Sequence, residues 1–195
     1  MSSIPQAAFI HEIDKLKAVK RQLRLPHDEN RQENSAEHSW HVALMALMLA
    51  EYAEQPVDIS RVVVMILIHD LVEIDAGDLF AFAEQVDHAE QELKELAAAK
   101  RIFGLLPEDS GQHYLTLWLE FEAAETADAR FAKAMDRVLP VFQNMQNEGG
   151  SWARHGVTKA QIVSRNEYLK TCAPALWQYV NEQLDVAVDN GWLTE

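Results

Sequence analysis

The chain carries one cysteine, Cys172, in 195 residues. It therefore forms no internal disulfide and suits a reducing compartment such as the cytoplasm. Glycine and proline are scarce as well, seven and six. All-β folds need many turns, so this scarcity favours long helices with few connections. Cations are also few: acids outnumber bases 31 to 17, for a net charge of −14, and no basic run occurs. That excludes a nucleic-acid duplex as the main partner, because neutralising duplex phosphates takes clustered Lys and Arg. A small anionic substrate remains compatible, since a metal and one or two arginines set a local potential opposite to the global one. The longest apolar run, Val62 to Ile68, is too short to span a bilayer. The first residues, MSSIPQAAFIHEIDKLK, lack the basic region and apolar core of a secretory leader.

What is present reads as helix. Phe9, Ile13, Leu16 and Val19 recur at helical spacing and predict a first helix continuing towards Leu23. Pro26 and the polar stretch HDENRQEN then predict a loop. Ser35 is placed to cap a second helix with Val42, Met45, Ala46, Leu49 and Tyr52 in one stripe. Asp58 or Ser60 can cap the next segment, RVVVMILIHDLVE, whose β-branched residues favour a strand by propensity. No second such strand exists to pair with it, and a lone strand leaves backbone groups unsatisfied. A central helix, apolar all round, is the expectation. Further helices are predicted over Glu84 to Phe103, Glu108 to Ala123 and Ala127 to Gln146. Gly149-Gly150 is a stop, Thr158 caps a segment to about Lys170, and Pro174 opens the last helix towards Asp189. No repeat or linker composition breaks the chain, so residues 1–195 are expected to form one all-α domain of about six to eight helices. Trp118, Trp152, Trp177 and Trp192 fit core or interface anchors, and a two-fold homodimer is the expected oligomer by symmetry alone.

His69 and Asp70 stand side by side at the end of the most apolar segment. Burying both costs several kcal/mol unless something pairs with them, and a divalent cation does so. Imidazole with carboxylate suits Zn, Mn, Co, Ni or Fe without selecting among them. Further ligands must come from elsewhere. His38 and His41 share a face of the second helix, and Asp136 lies beside the apolar stripe Met135, Val138, Leu139 and Phe142. A salt bridge between Asp136 and Arg137 is the plainer alternative.

The segments ENSAEHS at 33–39, LIHDLVEIDAGD at 67–78 and FAKAMDR at 131–137 resemble the HD-domain metal-dependent phosphohydrolases, and more closely their 5′-deoxynucleotidase branch. The tail SWARHGVTKAQIVSRN has the look of the same branch. The resemblance implies a single HD domain with site motifs within 31–137 and C-terminal helices over 158–190 on the same core. It implies that His38, His69, Asp70 and Asp136 coordinate one divalent transition metal. It also implies release of phosphate from deoxynucleoside 5′-monophosphates.

On a helix Glu73 shares the side of His69 and Asp70, where a carboxylate orients water or protonates a leaving oxygen. Glu73 and Asp78 both match family acids, with Asp75 a neighbour, and spacing does not tell which acts as the acid. Arg31 matches a family phosphate arginine, and its planar fork suits two phosphate oxygens. Arg21 corresponds to a second substrate arginine, although Gln22 stands where the family has an aromatic residue and the loop before Arg31 is longer. His88 and His113 fall between Asp70 and Asp136, where two-metal relatives insert histidines; the polar surroundings of His88 favour a surface residue. Cleavage of a diester or pyrophosphate, and a helical interaction module with a structural metal, are the competing readings.

Overall fold

A computed structural model describes residues 4–82 and 85–195, apart from the side chains of 83–89. The chain opens with helix α1 (Ala7–Ile13) and a 3-10 turn, Asp14–Ala18. Here the expected continuation to Leu23 fails. Val19 turns extended, and strands β1 (Lys20–Leu25) and β2 (Arg31–Asn34) form an antiparallel hairpin. Lys20 pairs with Asn34 and Leu25 with Arg31. The connecting turn uses Glu29 and Asn30 in the left-handed region, so part of the expected loop is strand. Leu23 still reaches the core, from a strand instead of a helix.

Helix α2 (Ser35–Leu49) is capped by Asn34, not Ser35: Asn34 accepts from the Glu37 amide while Glu37 reaches back to the Asn34 amide. Helix α3 (Ile59–His69) is capped by Asp58, which accepts from the amides of Ser60 and Arg61. The β-branched run is helical, as expected, and packs against α2, α6 and α7. Val62, Met65 and Ile66 are fully buried, each worth about 1.5–3 kcal/mol of apolar burial. The helix is not enclosed all round, however, because Leu67 is 46% exposed.

At Asp70 the coil tightens into a 3-10 turn, Asp70–Val72, followed by the short helix α4 (Glu73–Ala76) and Gly77 at φ 75°. The Trp118 indole donates to the His69 carbonyl at 3.1 Å and caps that junction. Helices α5 (Gln85–Phe103) and α6 (Glu108–Ala123) follow; the expected start of α5 at Glu84 lies outside the described residues. Helix α7 (Ala127–Gln146) is the longest among the described residues, capped by Thr126. Pro140 stands inside it. Lacking an N–H, Pro140 leaves the Asp136 carbonyl four residues earlier without its helical donor.

The C-terminal third is α8 (Gly150–His155), α9 (Lys159–Asn166), α10 (Leu169–Cys172) and α11 (Pro174–Asp189). Thr158 and Gln161 form a capping box, and Pro174 occupies the first turn of α11. All four of these helices contact α7. The helices outnumber the six to eight expected because short pieces such as α4, α8 and α10 separate from longer neighbours. Buried apolar side chains form one core from Leu16 to Leu193. Among the described residues the architecture is all-α apart from the hairpin.

Candidate metal centre and cavity

Three elements bring their polar residues to one point. His38 stands in the second turn of α2, His69 ends α3, and Asp136 lies near the middle of α7. His38 Nε2 is 2.9 Å and His69 Nε2 3.4 Å from Asp136 Oδ1, and all three donor atoms lie within 4.8 Å of one another. Asp70 Oδ1 is 2.9 Å from His69 Nε2. Both imidazoles are buried.

The chemistry of this set fits a cation. His69 Nδ1 is 2.6 Å from the Ile66 carbonyl, and a carbonyl only accepts, so Nδ1 holds a proton. In the neutral ring Nε2 then turns a lone pair towards two carboxylates. It has no hydrogen-bond partner of its own. A divalent ion or an extra proton resolves that repulsion. Burial opposes charge on His69, yet Asp70 and Asp136 raise its affinity for a proton well above the usual imidazole range. Burial likewise disfavours the Asp136 carboxylate, but the two imidazoles hold its pKa well below the ordinary value. The centre calls for positive charge.

Glu33 was not singled out by the sequence. It is 2% exposed, its Oε2 lies 3.3 Å from His38 Nδ1, and Gln143 donates to its Oε1 at 2.7 Å. A carboxylate behind a metal-binding imidazole fixes the ring's tautomer and direction. The available signal was the position of Glu33 within the same motif as His38.

Arg21, on β1, sits inside the acidic group. It donates to Asp70 at 2.9 Å and lies 3.7 Å from Glu73, 3.7 Å from Asp78 and 3.8 Å from Glu33. Glu73 is buried, and the Ser35 hydroxyl donates to its Oε2 at 2.5 Å. Burial, then repulsion from Asp70, raises the Glu73 pKa well above the carboxylate range despite Arg21. Burial also raises that of Asp78. Ser35 therefore has a role other than the cap expected of it.

Several candidates stay apart. Arg31 is exposed, bound by Asp28 and by both oxygens of Glu37, and does not line the cavity. Its fork is held by these two acids, apart from the residues that line the cavity. Asp75 pairs with Arg101, and His41 and His113 are exposed. The side chain of His88 lies outside the described residues. Arg137 is not the partner of Asp136: it donates to the Arg165 carbonyl at 2.8 Å and lies over the Tyr168 ring.

The centre opens into a cavity of about 330 Å³, floored by His69, Asp70, Glu73 and Asp136. That volume lies in the range of small-molecule sites. Phe80, Phe82 and Trp152 give it apolar wall, and Lys133, Arg137 and Arg165 add cations that the sequence reading did not assign to it.

Residues 13–177 match the family model described as HD domain. The chain is 30% identical over 140 residues to the human 5′-deoxynucleotidase HDDC2, a match covering 72% of this chain and 67% of that one. It is similar over 98% of its length to a structure from Magnetospirillum magnetotacticum MS-1 described as a predicted metal-dependent phosphohydrolase, with 49% identity, a TM-score of 0.92 and 95% of that chain covered. An HD-domain phosphohydrolase from Listeria innocua shares the fold at 14% identity, with a TM-score of 0.63 over 93% of this chain and 97% of that one. With its histidines and aspartates gathered beneath the cavity, this chain belongs to the HD-domain family, as one of its phosphohydrolases.

Proposed function

We propose that this enzyme is a 5′-nucleotidase releasing phosphate from deoxynucleoside 5′-monophosphates, with His38, His69, Asp70 and Asp136 as the ligands of one divalent transition metal. The single observation that carries the reading is a buried Glu73 beside a His–His–Asp cluster at the base of a cavity large enough for a mononucleotide. The similarity to the human deoxynucleotidase supports this substrate class. When bound, such an ion supplies charge opposite the phosphoryl oxygens and makes water acidic enough to attack near neutral pH.

The protein's own residues do the rest. Glu73, whose hold on a proton burial strengthens and which Ser35 orients, delivers a proton to the departing 5′ oxygen. Asp78 lies beside Glu73 and is placed to restore the proton between turnovers. Arg21 offsets the surrounding carboxylates and, after His69, helps hold the Asp70 pKa below its ordinary value against burial. Phe80, Phe82 and Trp152 offer the base a surface to lie against.

A phosphate-release screen of ribo- and deoxynucleoside monophosphates with several divalent ions tests this, beside Asp70→Ala and Glu73→Ala. Turnover on deoxynucleotides is expected, lost in both variants, with metal content retained only in Glu73→Ala. Turnover confined to ribonucleotides, or of none of these compounds, overturns the assignment.

The enzyme is further proposed to work in the cytoplasm, in keeping with its lone thiol, and as a homodimer. Trp40, Leu44, Leu47 and Met48 form an exposed apolar stripe on α2, with Trp40 at 61% and Met48 at 69%. A stripe of this kind suits a self-complementary interface. A Trp40→Glu protein that sediments with the same mass as the parent removes that support.

A further inference from the structure

Four cations line the cavity, and three are committed. Arg21 is surrounded by Asp70, Glu73, Asp78 and Glu33. Lys133 donates to the carbonyl and the carboxylate of Glu122, each at 3.0 Å, and lies over the Phe121 ring. Arg137 spends one nitrogen on the Arg165 carbonyl and one face on Tyr168.

Arg165 differs from these. Among the described residues no carboxylate pairs with it, and its one contact is a long 3.5 Å approach of Nη1 to the Ala81 carbonyl. Its guanidinium is half-buried beside a like charge. Burial first, then Arg137, lower its pKa from the usual arginine value, and Asp136 offsets only part of this. A guanidinium has five donors in a fixed fork, and those of Arg165 are not spent on carboxylates of the described residues, so they are free to meet an anion in the cavity. Arg165, Arg137, Ala81 and Phe82 line both the cavity and the shallow groove outside it, so this pair stands at the mouth.

We propose that Arg165, backed by Arg137, is the anion-binding residue of the cavity and grips the non-reacting oxygens of the substrate's phosphate. The carbonyl of Arg165 is held by Arg137, which fixes the backbone from which the fork projects. Arg21 by contrast balances the carboxylates, and Arg31 is outside. The assignment rests on the phosphohydrolase reading for its phosphate, but not on the nucleotide.

The test measures binding of inorganic phosphate to the metal-loaded enzyme, directly by calorimetry and as competitive inhibition of p-nitrophenyl phosphate hydrolysis. Charge-assisted hydrogen bonds of this kind make Arg165→Gln weaken phosphate about 10-fold to 100-fold. KM should rise with the same sign, while metal content and melting temperature stay at parental values. Arg165→Lys recovers part of the loss by charge alone, and Arg137→Gln shows a smaller effect in the same direction. Phosphate affinity within two-fold of the parent in Arg165→Gln overturns the proposal. If phosphate binding depends on Arg165 but no nucleotide is cleaved, this subsite stands and the nucleotidase reading falls. If nucleotides are cleaved while phosphate ignores Arg165, the reverse holds.

Discussion

Glu33 and His38 face each other across 3.3 Å, carboxylate oxygen to Nδ1, while the opposite nitrogen of the same ring points at Asp136. The imidazole is thus clamped from behind by a side chain on the hairpin. Second carboxylates of this type typically account for 10-fold to 100-fold in metal affinity. Glu33→Gln should weaken metal by about that factor, measured by competition with a chromophoric chelator, while the helical spectrum is unchanged. An affinity equal to the parent's would show that the contact does not orient the ring.

The centre also joins elements far apart in the chain, and an ion bound only to the folded state stabilises it by mass action. At free metal 100-fold above its dissociation constant the gain is about 2.7 kcal/mol, or about 5–10 °C for a domain of this size. Chelation should lower the melting temperature by that amount. Asp70→Ala should melt at one temperature with or without metal, and a variant that still responds in full would exclude Asp70 as a ligand.

Glu95 gives a pH signature outside the metal centre itself. Burial pushes its carboxyl up to about 7, the Gln91 amide pulls it down, and Glu122 and Asp70 repel its charge. An unfolded glutamate titrates near 4.5. The folded protein therefore holds this proton more tightly, and the stability it contributes is complete below about 4.5 and lost as pH rises through about 7. The gap corresponds to about 3 kcal/mol, reduced to about 1–2 kcal/mol for a half-exposed group screened by solvent. In metal-free protein, Glu95→Gln should gain that much on the parent between pH 4.5 and pH 8 in urea titrations. A constant difference across this range would place the Glu95 pKa at its ordinary value.

Gly149 is the least replaceable turn residue. Its φ is 88°, and a Cβ built there would stand 2.5 Å from the Trp192 carbonyl oxygen. Gly149→Ala combines backbone strain with a clash against backbone, and a loss of about 2–4 kcal/mol is expected in denaturant unfolding. A loss under 0.5 kcal/mol would show that the turn relaxes freely.

The sequence was most legible where physical constraints reinforce one another. Apolar period, caps and stops agree over α6 and α7, whose observed limits, Glu108–Ala123 and Ala127–Gln146, are those expected. For α3 propensity pointed to a strand, and the lack of a pairing partner decided correctly for helix. The hairpin was not legible because Leu16, Val19 and Leu23 keep a helical spacing, and its turn contains no glycine. His38, His69 and Asp136 converge as their motif implied. Arg165 escaped notice, and so did the contacts of Ser35 with Glu73 and of Glu33 with Gln143, because partners 38 to 110 residues away or at the cavity mouth leave no local pattern. Arg31 illustrates the converse. Its motif position suggested a ligand contact, but the local pairs with Asp28 and Glu37 take its donors.

The hairpin carries one charge of each sign to the centre, Arg21 on its first strand and Glu33 on its second. A two-stranded ribbon has little stability alone and relies on what it packs against. Should it lift, cation and anion would depart together, leaving the net charge of the remaining cluster unaltered. Local opening of this flap therefore conserves net charge, yet it costs the separation of Arg21 from Asp70, Glu73 and Asp78.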